Sequence, residues 1–248
     1  MLGKLTNTFL RQFGLKLSPL GDRDIDLEDE LFLQLCEKVR GFTMTSTSDL
    51  FALYNALNFI TQHNIEGDLV ECGVWKGGSA MFIAYYLVER EAYDRKIYLY
   101  DTFAGMTPPS ALDIDLNGNH PTDDEVLNWQ PASLYEVKAN MEKTNFPMGS
   151  IVFAEGDVKD VLPTIQPEKI ALLRLDTDWY ASTLLELKHL YPNLSTNGVL
   201  ILDDHGHWLG ARQAAEEYFR EIAAPIFLNK INYSTRVGIK PSASKPYT

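Results

Sequence analysis

Short apolar runs alternate with longer stretches of helical period along most of this chain. The runs lie at 68–73, 96–101, 150–154, 170–176 and 198–203, each short enough for a strand buried on both faces. Helical spacing is predicted near 27–39, then over a helix of about 15 residues with Leu50, Leu53, Leu57 and Ile60 on one face. Further helices are predicted at 79–90, 133–143, just before Pro163, at 180–191 and at 209–223. Two closing runs, near 225–231 and 234–239, form an antiparallel pair. Strand and helix in alternation predict an α/β fold, a doubly wound, mostly parallel seven-stranded sheet with an antiparallel C-terminal strand and an N-terminal helical extension. The organisation expected is a helical arm and cap over 1–65, one main domain over 66–240 and a polar tail over 241–248. The breaker-rich insertion 102–131 carries Pro108, Pro109, Gly118 and Pro121, and a loop of that length in a compact domain is usually functional or disordered.

The extreme N-terminus has a different pattern. Leu2, Leu5, Phe9 and Phe13 repeat at helical spacing, with Lys4, Arg11 and Lys16 as the only charges. A basic, acid-free amphipathic segment can lie on a membrane surface. The simpler expectation is an arm that packs on the domain or on a second copy of the chain, which makes a homo-oligomer the expected state. Composition narrows the partners. A net charge of −12 over 248 residues argues against nucleic acid or an anionic membrane. Only Cys36 and Cys72 occur, without metal-knuckle spacing, so a reducing, cytoplasmic setting is expected. No apolar run approaches the roughly 18 residues of a membrane span.

The chemistry is concentrated where the runs stop. Glu71, Gly73 and the Gly77-Gly78-Ser79 turn sit at the first strand-to-helix junction, where backbone can approach a ligand and a helix start offers free N–H groups. The spacing is not that of the dinucleotide fingerprint, and an acid at position 71 repels a pyrophosphate but suits a cationic amino-acid group. S-adenosylmethionine is therefore favoured over NAD. Asp101 ends the second strand, where an acid can bind ribose hydroxyls, and Asp157 follows the third strand near the adenine end; each could instead cap local backbone. Asp176 and Asp178 end the fourth run, Asp203 and Asp204 the fifth. On an extended strand, residues 176 and 178 would point to one side. Four carboxylates converging on one crevice call for a cation, and hard oxygen donors suit magnesium, although one or two of these acids could cap the helices that follow. Trp179 and Trp208 flank the acids as an apolar wall or as core. His205 and His207 follow them as substrate contacts or supports of the ligands, and Arg174 in its buried strand needs an acidic partner.

Four segments carry a resemblance: 68–79, DLVECGVWKGGS; 99–106, LYDTFAGM; 172–183, LLRLDTDWYAST; and 203–212, DDHGHWLGAR. Together they resemble the macrocin O-methyltransferase family over roughly residues 40–240 and, more distantly, the catechol-type metal-dependent methyltransferases. The resemblance implies a class I fold, S-adenosylmethionine and Mg2+ as cofactors, and a hydroxyl of a glycoside or other diol as methyl acceptor. It places Asp176, Asp203 and Asp204 at the metal and Asp178 at the general base. Glu71, Gly73, Ser79, Asp101 and Asp157 fall along the cofactor cleft, with Asp176 serving both cleft and metal. His205 stands where the family more often has Tyr. Residues 43–49 and 102–131 fall on segments that cover the site and set acceptor choice. The competing readings are a nicotinamide-dependent oxidoreductase, for which the chain lacks a Tyr-x-x-x-Lys pair, a phenolic-diol methyltransferase, and a non-catalytic binding protein.

Overall fold

Each apolar run becomes a strand in the computed structural model, which describes residues 29–121 and 130–242. The strands are β1 (Asp68–Cys72), β2 (Ile97–Asp101), β3 (Ile151–Glu155), β4 (Ile170–Leu175), β5 (Leu194–Leu202), β6 (Leu228–Lys230) and β7 (Arg236–Ile239). They form one sheet in the order β3-β2-β1-β4-β5-β7-β6. The first five run parallel, and β7 is antiparallel to both of its neighbours. The seven-stranded, doubly wound architecture with its antiparallel C-terminal strand is therefore the one the pattern predicts.

Helices cover both faces. On one side lie α1 (Glu30–Val39), α2 (Thr47–Gln62), α3 (Gly78–Glu89) and α4 (Leu134–Glu142); on the other α5 (Val158–Val161), α6 (Tyr180–Leu190) and α7 (Leu209–Glu221). Asp29, Ser46 and Ser133 start α1, α2 and α4 by accepting a backbone N–H with the side chain, which satisfies a donor the helix leaves free. The helical prelude shares the main core. Phe32 of α1 meets Phe51 and Tyr54 of α2 and Phe82 of α3 at ring separations of 5.1, 5.5 and 6.2 Å. Aromatic edges packed this way bury large apolar areas with favourable ring geometry.

Several boundaries differ from expectation, most clearly in β4, β5 and β6. β5 begins at Leu194, not 198, because Leu194 pairs with Ile170 before a bulge at left-handed Asn197 (φ 66°) carries the chain to the next pair, Val199 with Leu172. β6 is confined to Leu228–Lys230, narrower than 225–231. β4 stops at Leu175, so the alternation argument for Asp176 and Asp178 fails: Asp178 is left-handed, with φ 65°. The amphipathic arm with Leu2, Leu5, Phe9 and Phe13 lies outside the described residues, as do 122–129 of the insertion and 243–248 of the tail. Among the described residues no helix is long and apolar enough to cross a membrane.

Candidate active site

The carboxyl ends of β1, β2, β4 and β5 open on one cavity of about 760 Å3. In a parallel sheet this is the edge where loops diverge and leave a crevice. Gly73, Ser79, Asp101, Asp157, Asp176, Asp178, Asp203 and Asp204 all line it. Two covering segments reach the same space: 43–46 with Asp49 from the prelude, and the described part of the insertion from Thr102 to Asp113.

At the β1 end of the cavity, tight packing explains the glycines. A Cβ on Gly73 (φ 82°) would lie 1.8 Å from the Asp176 carbonyl oxygen, so only glycine lets β1 turn against the end of β4. One on Gly78 would lie 2.4 Å from the Thr43 Cβ, which ties the start of α3 to the covering segment. Asp101 Oδ2 accepts the N–H groups of Val74 and Trp75 at 2.6 and 3.1 Å, and its Oδ1 accepts that of Phe103 at 2.7 Å. It thereby holds the turn after β1 while still facing the cavity. Asp157 starts α5 by accepting the N–H of Lys159 at 3.0 Å, so capping and lining are combined in one residue. Glu71 is a correction. Expected to meet a cationic ligand directly, it is fully buried beneath the cavity, where Oε1 accepts from Ser79 Oγ and from Arg174. Burial still pushes its carboxyl upward, against the pull of Arg174.

At the other end the acids are arranged around Arg174, whose side chain is itself buried. Its Nη1 donates to Glu71 Oε1 and Asp176 Oδ2, both at 2.7 Å, and its Nη2 donates to Asp203 Oδ1 at 2.8 Å and Thr45 Oγ1 at 3.3 Å. Oxygen atoms of Asp176, Asp203 and Asp204 lie within 4.8 Å of one another, a group able to hold a metal ion. The Asp176 and Asp203 side chains keep 28% and 20% exposure, so the cluster is open to the cavity. Burial, followed by the neighbouring acids, raises Asp203 to about 7 and Asp204 well above the carboxylate range. Asp176 is raised too, by burial against the pull of Arg174. A cation among these acids would offset the cost that burial and their mutual repulsion place on the charged form. The donor set, all hard carboxylate oxygen, fits magnesium.

Asp178 has a different setting. Its Oδ1 accepts the Trp208 indole N–H at 2.9 Å, and its own N–H donates to Asp204 Oδ2 at 3.1 Å. Burial raises it to about 6, with the Trp208 bond acting the other way. Trp179 and Trp208 meet edge to face at 5.1 Å, and the row continues through His207 to Tyr233 at 4.6 and 5.8 Å. Trp179 Nε1 also donates to the Thr107 carbonyl at 2.8 Å, pinning the insertion over the site. His207 lines the cavity. His205 lies behind it, its Nδ1 buried without a partner among the described residues and its pKa lowered by burial to about 4, so the ring is neutral.

Sequence reasoning missed several parts. The β6–β7 turn, Asn232 to Thr235, lines the cavity; Ser234 Oγ donates to the Asp203 carbonyl at 2.6 Å, and Asn232 Nδ2 to Asp49 Oδ1 at 2.6 Å. Only its polar turn composition distinguishes it in the sequence. Asp113 of the insertion is fully buried, accepting the Tyr180 N–H at 2.7 Å. Glu186 is fully buried beneath the 176–179 loop, where Oε2 accepts from Thr177 Oγ1 at 3.0 Å while Oε1 has no partner among the described residues. Its place in the apolar stripe of Thr183, Leu187 and Leu190 on α6 was a usable signal.

Comparison with known proteins bears on the same residues. A family model described as macrocin-O-methyltransferase (TylF) matches residues 37–235. The mycinamicin III 3''-O-methyltransferase of Micromonospora griseorubida is 33% identical over 183 residues, covering 71% of this chain and 69% of that enzyme. The 8-demethyl-8-(2,3-dimethoxy-alpha-L-rhamnosyl)-tetracenomycin-C 4'-O-methyltransferase of Streptomyces olivaceus is 32% identical over 168 residues, 66% of this chain and 62% of that enzyme. Among solved structures, the O-methyltransferase NovP superposes with a TM-score of 0.72 at 27% identity, covering 81% of this chain and 83% of that one.

Proposed function

The chain belongs to the macrocin-O-methyltransferase family of S-adenosylmethionine-dependent O-methyltransferases, and on that premise we propose that it methylates a sugar hydroxyl of a glycosylated small molecule. In this reading Asp176, Asp203 and Asp204 hold a magnesium ion and Asp178 takes the proton. The observation that carries it is the meeting of those three carboxylates within 4.8 Å of one another, beside Asp178 in a single cavity. The sugar acceptor is supported by the names of the two relatives, one of which specifies a rhamnosyl group. The aromatic row of Trp179, Trp208, His207 and Tyr233 lies beside the acids in the same cavity.

A sugar hydroxyl is a poor nucleophile at neutral pH because its pKa lies far above 7. Asp176, Asp203 and Asp204 would hold the magnesium, which would supply positive charge to lower the pKa of a nearby hydroxyl. S-adenosylmethionine supplies the methyl on a positively charged sulfur. The chain does the rest by holding groups in place. Asp178, with one oxygen tethered by the Trp208 N–H and its pKa raised by burial to about 6, is mostly ionised at pH 7. Its left-handed backbone is fixed by the bond from its N–H to Asp204, so the base and the cluster of three are set relative to each other. Gly73, Ser79, Asp101 and Asp157 line the cofactor end, and the Asp101-held turn keeps β1 and α3 in register with the reacting groups. Trp179, Trp208 and Met106 pack together beside these groups.

The test is methyl transfer from S-adenosylmethionine to a panel of deoxysugar glycosides and phenolic diols, with magnesium or with EDTA. The expected result is a methylated glycoside, detected by mass spectrometry, that forms only with the metal. Methylation confined to phenolic diols removes the sugar reading, and full rate in EDTA removes the metal.

A further inference from the structure

Arg174 touches both ends of the site, although a cation beside a metal cluster would ordinarily repel the ion. Its strand, β4, is buried along its whole length, so the guanidinium cannot reach bulk water and must be fully paired. The pairing is specific. The planar fork spends one nitrogen on Glu71 and Asp176 and the other on Asp203 and Thr45. It takes Asp176 Oδ2 and Asp203 Oδ1, which leaves one oxygen of each acid for the cavity, and the metal-able group is built from Asp176, Asp203 and Asp204. Glu71 holds the guanidinium from below; it is itself fixed by Ser79 at the start of α3. Two adjacent strands thus set the rotamers of acids that sit beyond their ends.

We propose that Arg174, anchored by Glu71, is a positioning residue for the metal site: it orients Asp176 and Asp203 so that one oxygen of each faces the cation. The inference rests on the metal reading above and adds a residue that is not itself a ligand. A lysine could carry the charge, but a single ammonium cannot bridge two carboxylates and a third acid in this planar spacing. Loss of partners that orient ligands commonly weakens metal affinity by roughly 10- to 100-fold.

The experiment is direct binding of Mn2+, followed by electron paramagnetic resonance and calorimetry, in the wild-type protein, Arg174→Lys and Glu71→Gln. Arg174→Lys is expected to raise the Mn2+ dissociation constant about tenfold or more, while kcat at saturating metal stays within about threefold of wild type. Glu71→Gln keeps the shape but drops the anchor's charge, so it covers the case in which the lysine variant does not fold; a rise of about threefold or more is expected there. An Mn2+ affinity equal to wild type in whichever variants fold overturns this role alone. A wild-type protein with no Mn2+ site overturns it together with the metal reading.

Discussion

Glu186→Gln should make the protein more stable at alkaline pH and leave it nearly unchanged at pH 5. The side chain is fully buried, one oxygen accepts from Thr177 and the other has no partner among the described residues. Burial raises its pKa from 4.5 to about 8, against the pull of the Thr177 bond. A carboxyl with a raised folded pKa holds its proton in the native state while the unfolded chain has already lost it. The stability it lends is therefore present at low pH and is lost as pH rises from about 4.5 towards 8. Each tenfold difference in proton affinity between the folded and unfolded chain is worth about 1.4 kcal/mol, so the loss from this one group is about 3 kcal/mol between pH 5 and pH 8. For a chain of this size that is a fall of about 6–12 °C in midpoint. The glutamine has no proton to lose, and at pH 5 it matches a neutral carboxylic acid in shape and polarity. The assay is thermal unfolding by circular dichroism in EDTA at pH 5, 6.5 and 8. Because the acids of the site are the same in both proteins, the difference in midpoint reports on Glu186. That difference should be near zero at pH 5 and grow steadily in favour of the variant. A flat difference, or a variant that loses stability at pH 8, would refute the idea that Glu186 is folded as a neutral acid.

Two further outcomes follow from single contacts. Trp208→Phe keeps the ring packed on Trp179 but removes the N–H that tethers Asp178, a bond to a charged group that is worth about 1.5 kcal/mol or more. Turnover should fall about tenfold with S-adenosylhomocysteine affinity unchanged by calorimetry; equal loss of both would mean that the indole is only structural. Gly73→Ala puts a methyl 1.8 Å from the Asp176 carbonyl at a backbone φ of 82°, so β1 and β4 must part. Its unfolding free energy in urea should drop by about 3 kcal/mol or more, and a variant within about 1 kcal/mol of wild type would show that the turn relaxes freely.

The strands were legible because a buried parallel strand must be apolar on both faces, as most of Ile170 to Leu175 is. Arg174 was the exception in that run, and its cost in isolation was enough to predict an acidic partner. The acids were legible as a cluster because each follows such a run directly. What pattern could not supply was the path of the chain after the strand ends. Asp178 parts from Asp176 through a single left-handed residue, and Glu71 turns its charge inward to Arg174 instead of outward to a ligand. Neither event leaves a periodic trace. The same holds for Asn232 to Thr235, which reaches the cavity only because β7 runs antiparallel to β5 and brings its preceding turn to the acidic end. Glu186 differs: it falls among Thr183, Leu187 and Leu190 on the buried face of α6, and an acid in such a stripe is a signal worth reading.

The division of labour between three aspartates at the metal and a fourth at the proton is tested most directly by Asp178→Asn. The measurement is the rate of methyl transfer to a glycoside acceptor at saturating magnesium and S-adenosylmethionine, with Mn2+ affinity measured on the same preparation. The account predicts a rate lower by about a hundredfold or more, in the range of a lost general base, with Mn2+ affinity within about threefold of wild type. Near wild-type turnover with the metal bound would contradict it.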